Sequence, residues 1–239
     1  MACTLVGAFP LTGCRDDDPA TEVEKIDVNL SNLSNLGDVL VDENDMTLYF
    51  FIKDVGGLSM CEDGCLYVWP VFYHVDISVA NALDTIDFGV ITRNDGSKQA
   101  TYKGWLLSYH GRDAVVNYVN EEGIGGIWYF AKPNYTVILA NQEVHGQGVD
   151  YFVYPLGDTP YFFTNDGQDV SYCADGCLTA WPIFNRGLDA IVPSILTASD
   201  FGQIDSNNDY KQMTFQGQPL YYFVQDQNRG NVNGGTVEN

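Results

Sequence analysis

The chain has 239 residues, 45% of them hydrophobic, and contains no unbroken apolar run of eighteen, which leaves one large all-β unit or two domains and excludes a membrane-spanning helix. Asp and Glu number 32 against 11 Lys and Arg, for a formal charge of −21. Such a surface repels phosphate backbones and anionic headgroups, so nucleic acid is not an expected partner, whereas cations and basic polymers are compatible with it.

Residues 1–14 read as a lipoprotein signal peptide. The apolar stretch from Ala2 ends in Leu11-Thr12-Gly13-Cys14, the pattern cut before a lipidated cysteine, so Cys14 is the expected anchor and membrane lipid the partner of its acyl chains. No basic residue precedes the apolar run, as it would in a complete signal, so the start is either clipped or wrongly assigned. Residues 15–35, opening with Arg15-Asp16-Asp17-Asp18-Pro19, read as an acidic tether with too few apolar groups to offset chain ordering. An anchor of this kind places the other cysteines in an oxidising compartment.

Self-comparison then divides the chain into two repeat modules, residues 36–131 and 132–239. Residues 46–73 align without gaps to 158–185 at an offset of 112, and Phe88-Gly89 through Gly104 matches Phe201-Gly202 through Gly217 at 113. Within each module the pattern Tyr-x-aromatic-x-x-Asp recurs as Tyr49-Phe51-Asp54, Tyr161-Phe163-Asp166 and Tyr221-Phe223-Asp226, with a degraded copy at Ser108-His110-Asp113. In a strand Tyr49 and Phe51 share one face and Phe50 takes the other, so both faces are apolar and either buried or a binding surface. Lys103-Gly104 and Gln216-Gly217 supply hairpin turns. Gly125-Gly126 leads into a strand at Ile127 to Phe130, residues 135–140 read as a strand and residues 141–150 as a loop. The second module stops about where its counterpart of Trp128 is due, so its last strand is expected to be missing, either by truncation or as an open edge that another strand could fill. The fold class expected is all-β: two homologous modules in pseudo-twofold symmetry with little helix, closed as sandwich, barrel or propeller.

Cys61-x3-Cys65 and Cys173-x3-Cys177 each enclose an Asp-Gly turn and precede Trp69-Pro70 and Trp181-Pro182. Local disulfides suit that spacing and compartment; a redox couple or a four-cysteine metal site are the alternatives. Covalent haem is disfavoured, because leucine and not histidine follows the second cysteine. Tyr49, Phe51, Trp69, Tyr161, Phe163, Trp181, Tyr221 and Phe223 line either a core or a ligand groove. Asp54, Asp113, Asp166 and Asp226 are candidates for binding calcium or a basic partner, or for accepting backbone N–H groups at strand ends. Asp42-Glu43-Asn44-Asp45 starts like a calcium loop but lacks the glycine and distal glutamate of one. His74, His110 and His145 share no metal-ligand spacing; His110 stands out because it replaces a strand aromatic between Ser108 and Asp113. No nucleophile elbow, phosphate loop, dinucleotide fingerprint or paired-histidine zinc motif occurs, so neither catalytic residues, nor a metal, nor a cofactor is assigned.

This combination of lipobox, paired Tyr-x-aromatic-x-x-Asp motifs and Cys-x3-Cys-x3-Trp-Pro resembles, over residues 36–239, the bacterial and archaeal lipoproteins with a Tyr-x-(Phe/Trp/Tyr)-x-x-Asp motif, known as secreted repeats of unknown function. The chain departs from the pattern at Ser108 and His110. The resemblance implies a cell-envelope location, lipid-anchored at the outer membrane or cell surface, and transfers no catalytic residue. Two functional expectations follow: a non-catalytic binding or structural module contacting a surface protein, glycan or cation, or an extracytoplasmic electron-transfer or metal-handling protein using its cysteine pairs.

Overall fold

The computed structural model describes residues 27–34, 36–112, 122–185, 189–206 and 210–236; Cys14, Asp113 and most of the expected tether lie outside them. The fold is all-β. In chain order come β1 (Val28–Leu33), β2 (Gly37–Asp42), β3 (Tyr49–Phe51), a single helical turn α1 (Cys65–Val68), β4 (Phe88–Thr92), β5 (Lys98–Tyr102), β6 (Trp105–Leu106) and β7 (Trp128–Phe130). They are followed by β8 (Ile138–Val144), β9 (Gln147–Val153), α2 (Gly176–Ala180), β10 (Phe201–Asp205), β11 (Lys211–Phe215) and β12 (Gln218–Pro219). These strands make five small antiparallel sheets, β1-β2, β3-β7, β4-β5-β6, β8-β9 and β10-β11-β12, and none closes into a barrel.

Turn chemistry sets the hairpins. Lys103-Gly104 and Gln216-Gly217 each take φ of 49° and 78°, the doubly left-handed geometry of a two-residue hairpin turn, and join β5 to β6 and β11 to β12. His145-Gly146 does the same at 53° and 78° and joins β8 to β9, so residues 141–150, which read as a loop, are mostly strand. Their polar side chains hid the pattern: the hairpin is held by seven registered backbone pairs from Ile138↔Val153 to Val144↔Gln147, and much of β9 faces water. Order also begins earlier than composition suggests, because β1 lies within the stretch expected as tether and buries Val28 and Leu33.

Many backbone bonds recur between the halves at an offset of 112 or 113. Phe88↔Tyr102 through Thr92↔Lys98 in the first half is matched by Phe201↔Phe215 through Asp205↔Lys211 in the second. Phe72 N donates to Leu107 O and Ala100 N to Phe72 O; Phe184 N donates to Leu220 O and Met213 N to Phe184 O. β3 shows why its sequence is apolar on both faces. Phe50 sits in the main core with Leu40, Trp105 and Ile138, while Tyr49 and Phe51 sit in a second cluster with Val39, Trp69 and Trp128.

The halves are joined by Arg229. Its Nε donates to Val55 O at 2.6 Å and its Nη1 to Lys103 O at 2.9 Å, with the guanidinium 5.2 Å from the Trp105 ring centre. A Cβ at Gly104 would lie 1.9 Å from Arg229 Nη1, so a larger residue there would push the guanidinium off these contacts. Trp105 Nε1 donates across the same boundary to Pro155 O at 2.7 Å.

Candidate functional site

Each cysteine pair is bonded within its own loop: Cys61 to Cys65 and Cys173 to Cys177, both with Cα atoms 5.4 Å apart. Asp63 and Asp175 turn the chain in the left-handed region, at φ of 47° and 49°. Beyond each turn the second cysteine lies in a helical turn that the sequence did not reveal, and its carbonyl accepts from Trp69 N at 2.8 Å or Trp181 N at 2.9 Å. The helical turn thereby aims the tryptophan into the aromatic cluster. The two pairs belong to separate clusters, so they do not come together as a four-cysteine site.

The motif tyrosines and aspartates of the second half form a crossed pair. Tyr161 Oη donates to Asp226 Oδ2 at 2.5 Å, and Tyr221 Oη donates to Asp166 Oδ2 at 2.6 Å, each motif's tyrosine serving the other motif's aspartate. The remaining carboxylate oxygens accept backbone N–H groups: Asp166 Oδ1 from Tyr172 at 2.8 Å and Asp226 Oδ1 from Asn233 at 3.0 Å. Tyr221 Oη also lies 2.8 Å from Ser171 Oγ. Burial, reinforced by the bond to Asp166, pushes the Tyr221 phenol up to about 12, so it stays a donor at any ordinary pH. The aspartates therefore do the work expected of strand-end acceptors.

In the first half Ser108 stands where Tyr221 stands in the second, and the phenol's place is taken by Arg93, the counterpart of Ser206. Arg93 Nη1 donates to Ser59 Oγ, the counterpart of Ser171 Oγ, at 2.7 Å and to Gln99 Oε1, and its Nη2 donates to Cys61 O at 2.5 Å. Gln99 Nε2 in turn donates to Leu107 O at 2.9 Å and Ser108 Oγ at 3.1 Å. Asp54 keeps the backbone acceptor role, taking Met60 N at 2.7 Å. Burial raises the Asp54 carboxyl to about 7, against the lowering pull of Met60 N, Arg93 and Arg229. No linear motif marks Arg93. The signal that finds it is the paired exchange in the repeat alignment, Tyr221 to Ser108 together with Ser206 to Arg93.

The aromatic set packs on itself. Phe51, Trp128 and Trp69 stack with centroids 4.2 and 3.8 Å apart, and His110 lies 4.6 Å from Trp69, buried. In the second half Trp181 stacks on Phe223 at 4.4 Å and meets Tyr161 and Phe163 edge-on. These contacts bury the large rings a domain of short strands needs. Asp42 closes a turn by accepting Asn44 N and Met46 N, both at 2.8 Å, and Tyr109 Oη at 3.0 Å. His145 occupies the β8-β9 turn. His74 joins a group that linear spacing concealed: its Nδ1 lies 3.1 Å from Asp27 Oδ1, and one donor atom each of Asp27, Glu43 and His74 fall within 4.8 Å of one another. That donor set is of a kind that holds a divalent cation; Asp27 Oδ2 is already engaged by Ser78 N and Oγ.

The architecture and the site together define an all-β protein of small sheets with one disulfide-closed loop in each half. A lipoprotein family model described as a secreted repeat of unknown function matches residues 33–73, the segment from the end of β1 through β3 and the first disulfide loop to Trp69-Pro70. No curated protein and no solved structure matches the chain. No helix among the described residues is long and apolar enough to cross a membrane.

Proposed function

We propose that the protein is a surface-anchored repeat lipoprotein whose two modules, residues 36–131 and 132–239, act as non-catalytic binding or structural bodies, held at the envelope through Cys14. The observation that carries this reading is that the motif residues capable of chemistry are spent on one another: cysteine on cysteine, aspartate on backbone N–H and phenol, aromatic on aromatic. The match to a secreted repeat supports an extracellular or envelope setting, and intramolecular disulfides suit it.

One surface left to a partner lies beside the disulfide loops. Leu58, Met60 and Tyr67 are 70%, 63% and 89% exposed, and Val170 and Tyr172, the counterparts of Leu58 and Met60, are 44% and 67% exposed. Leu58, Met60, Ile91 and Arg93 line a cleft of about 310 Å³ next to the first loop. Clustered apolar groups of this kind on an acidic, soluble body are the part of the surface suited to a protein or glycan partner.

A free-thiol count separates this reading from electron transfer or metal handling through the cysteines. Protein beginning at Asp16, made in an oxidising compartment, is denatured without reductant, alkylated and weighed. No added mass is expected. Four alkylated thiols would mean that the cysteines had been held reduced, which contradicts the structural role given to them here.

A further inference from the structure

We infer that the outer edge of Tyr161–Phe163 accepts an extended segment of a partner polypeptide, entering antiparallel with aromatic residues at alternate positions. The inference rests on the correspondence between the two modules. In the first half both edges of β3 are paired. Tyr49 N and Ser108 N exchange bonds with the opposite carbonyls at 2.9 and 3.2 Å on the inner edge, and β7 lies on the outer edge in the register Tyr49↔Phe130, Phe50↔Tyr129, Phe51↔Trp128. The outer ladder continues at its ends through Ile52 N to Ile127 O at 3.0 Å and Ala131 N to Leu48 O at 2.8 Å.

In the second half only the inner edge is made. Tyr161 N and Tyr221 N exchange bonds with each other's carbonyl at 2.8 Å, and no strand among the described residues pairs with the outer edge. Phe162 is 55% exposed where Phe50 is 1% exposed, and Thr164, the counterpart of Ile52, is exposed as well. A side-chain slot accompanies the edge. Trp128 and Phe130 of β7 pack beside Val39 and Tyr49; the counterparts of those two, Tyr151 and Tyr161, line an apolar cleft of about 240 Å³ with Val144, Val149 and Val232. The turn at Asn233–Thr236 borders it, Gly234 N donating to Tyr161 Oη at 3.3 Å. Unpaired strand edge plus a neighbouring slot is the arrangement by which strand addition works: main-chain bonds supply affinity and the slot selects alternate side chains. The aromatic-x-aromatic chemistry of the occupant follows from the Trp128-Tyr129-Phe130 segment that fills the equivalent place in the first half.

The test uses the full chain and a labelled peptide of residues 122–131, titrated by fluorescence anisotropy. Saturable one-to-one binding is expected. Replacing the peptide's Trp128 and Phe130 by Ser, or filling the slot with Val149→Trp, should each weaken it by about tenfold or more, as loss of an anchoring aromatic does. Ile86→Ser, at an exposed position that lines neither cleft, should leave it unchanged, and far-UV circular dichroism checks that each variant is folded. Absence of binding up to about 1 mM peptide, equal binding of the Ser peptide, or undiminished binding by a folded Val149→Trp protein would overturn the inference. So would self-association of the chain that Val149→Trp abolishes, because the occupant would then be a second copy. None of these results alters the thiol count, so failure here is distinguishable from failure of the non-catalytic reading.

Discussion

The polar junction behind each disulfide loop is built twice with different parts. In the second half it consists of two phenols and two carboxylates: Tyr221 donates to Asp166 and stands beside Ser171, while Tyr161 donates to Asp226. In the first half Tyr221 becomes Ser108, and Arg93 reaches in from the end of β4 to satisfy Ser59 Oγ, Gln99 Oε1 and Cys61 O. The backbone around the two junctions is bonded alike, so the donor changed and the frame did not. A buried acceptor without a donor costs about 1–3 kcal/mol, which makes a junction emptied of its phenol unstable unless another donor arrives. The difference has an electrostatic consequence. The guanidinium draws a charge into the first junction, and Asp54 lies there with its carboxyl raised to about 7 by burial.

That contrast can be broken in graded steps. The largest effect belongs to Asp54. Its folded pKa lies above the unfolded value of 3.8, so the folded protein binds the extra proton between pH 3.8 and about 7; the stability it contributes is full below that window and lost as pH rises through it. The loss should be on the order of a few kcal/mol. Urea melts at pH 4.5 and 8 should therefore differ more for the native protein than for Asp54→Asn, which keeps an acceptor for Met60 N; equal pH dependence in the two would contradict the assignment. Arg93→Ala comes next, at about 3 kcal/mol, because it leaves Ser59 Oγ, Gln99 Oε1 and Cys61 O without their charged donor. Asp166→Ala should cost about 2 kcal/mol by stranding Tyr172 N and the Tyr221 phenol. Tyr221→Phe, which deletes one donor while keeping the ring packed, should cost about 1 kcal/mol. Denaturant midpoints order these three, and an inverted order would mean that the junction is not organised around the donors named here.

Local chemistry was legible in the sequence and long-range chemistry was not. The turns at Lys103-Gly104 and Gln216-Gly217, the strand after Gly125-Gly126 and the two-sided burial of β3 follow from residue types acting on their neighbours. The β8-β9 hairpin escaped because its far end is polar and exposed, so no alternation marked it; backbone pairing and the His145-Gly146 turn hold it. β1 was masked by the acidic composition of the segment around it. Most of the aromatics that might have lined a groove prove to be buried, a distinction that burial alone decides and composition cannot. Arg93 and the Asp27, Glu43 and His74 group were invisible for a common reason: their partners lie tens of residues away and only the fold brings them together.

Arg93 and Tyr221 are alternative solutions to one junction. A double-mutant cycle in the first half tests this directly, with Arg93→Ser, Ser108→Tyr and the two combined, which installs the second half's arrangement in the first. Each single change should destabilise the protein by about 1–3 kcal/mol, one by emptying the junction and the other by overfilling it, and the double variant should return to within about 1 kcal/mol of the native chain. A double variant that loses the sum of the two single effects would mean that the arginine and the phenol do not serve the same junction.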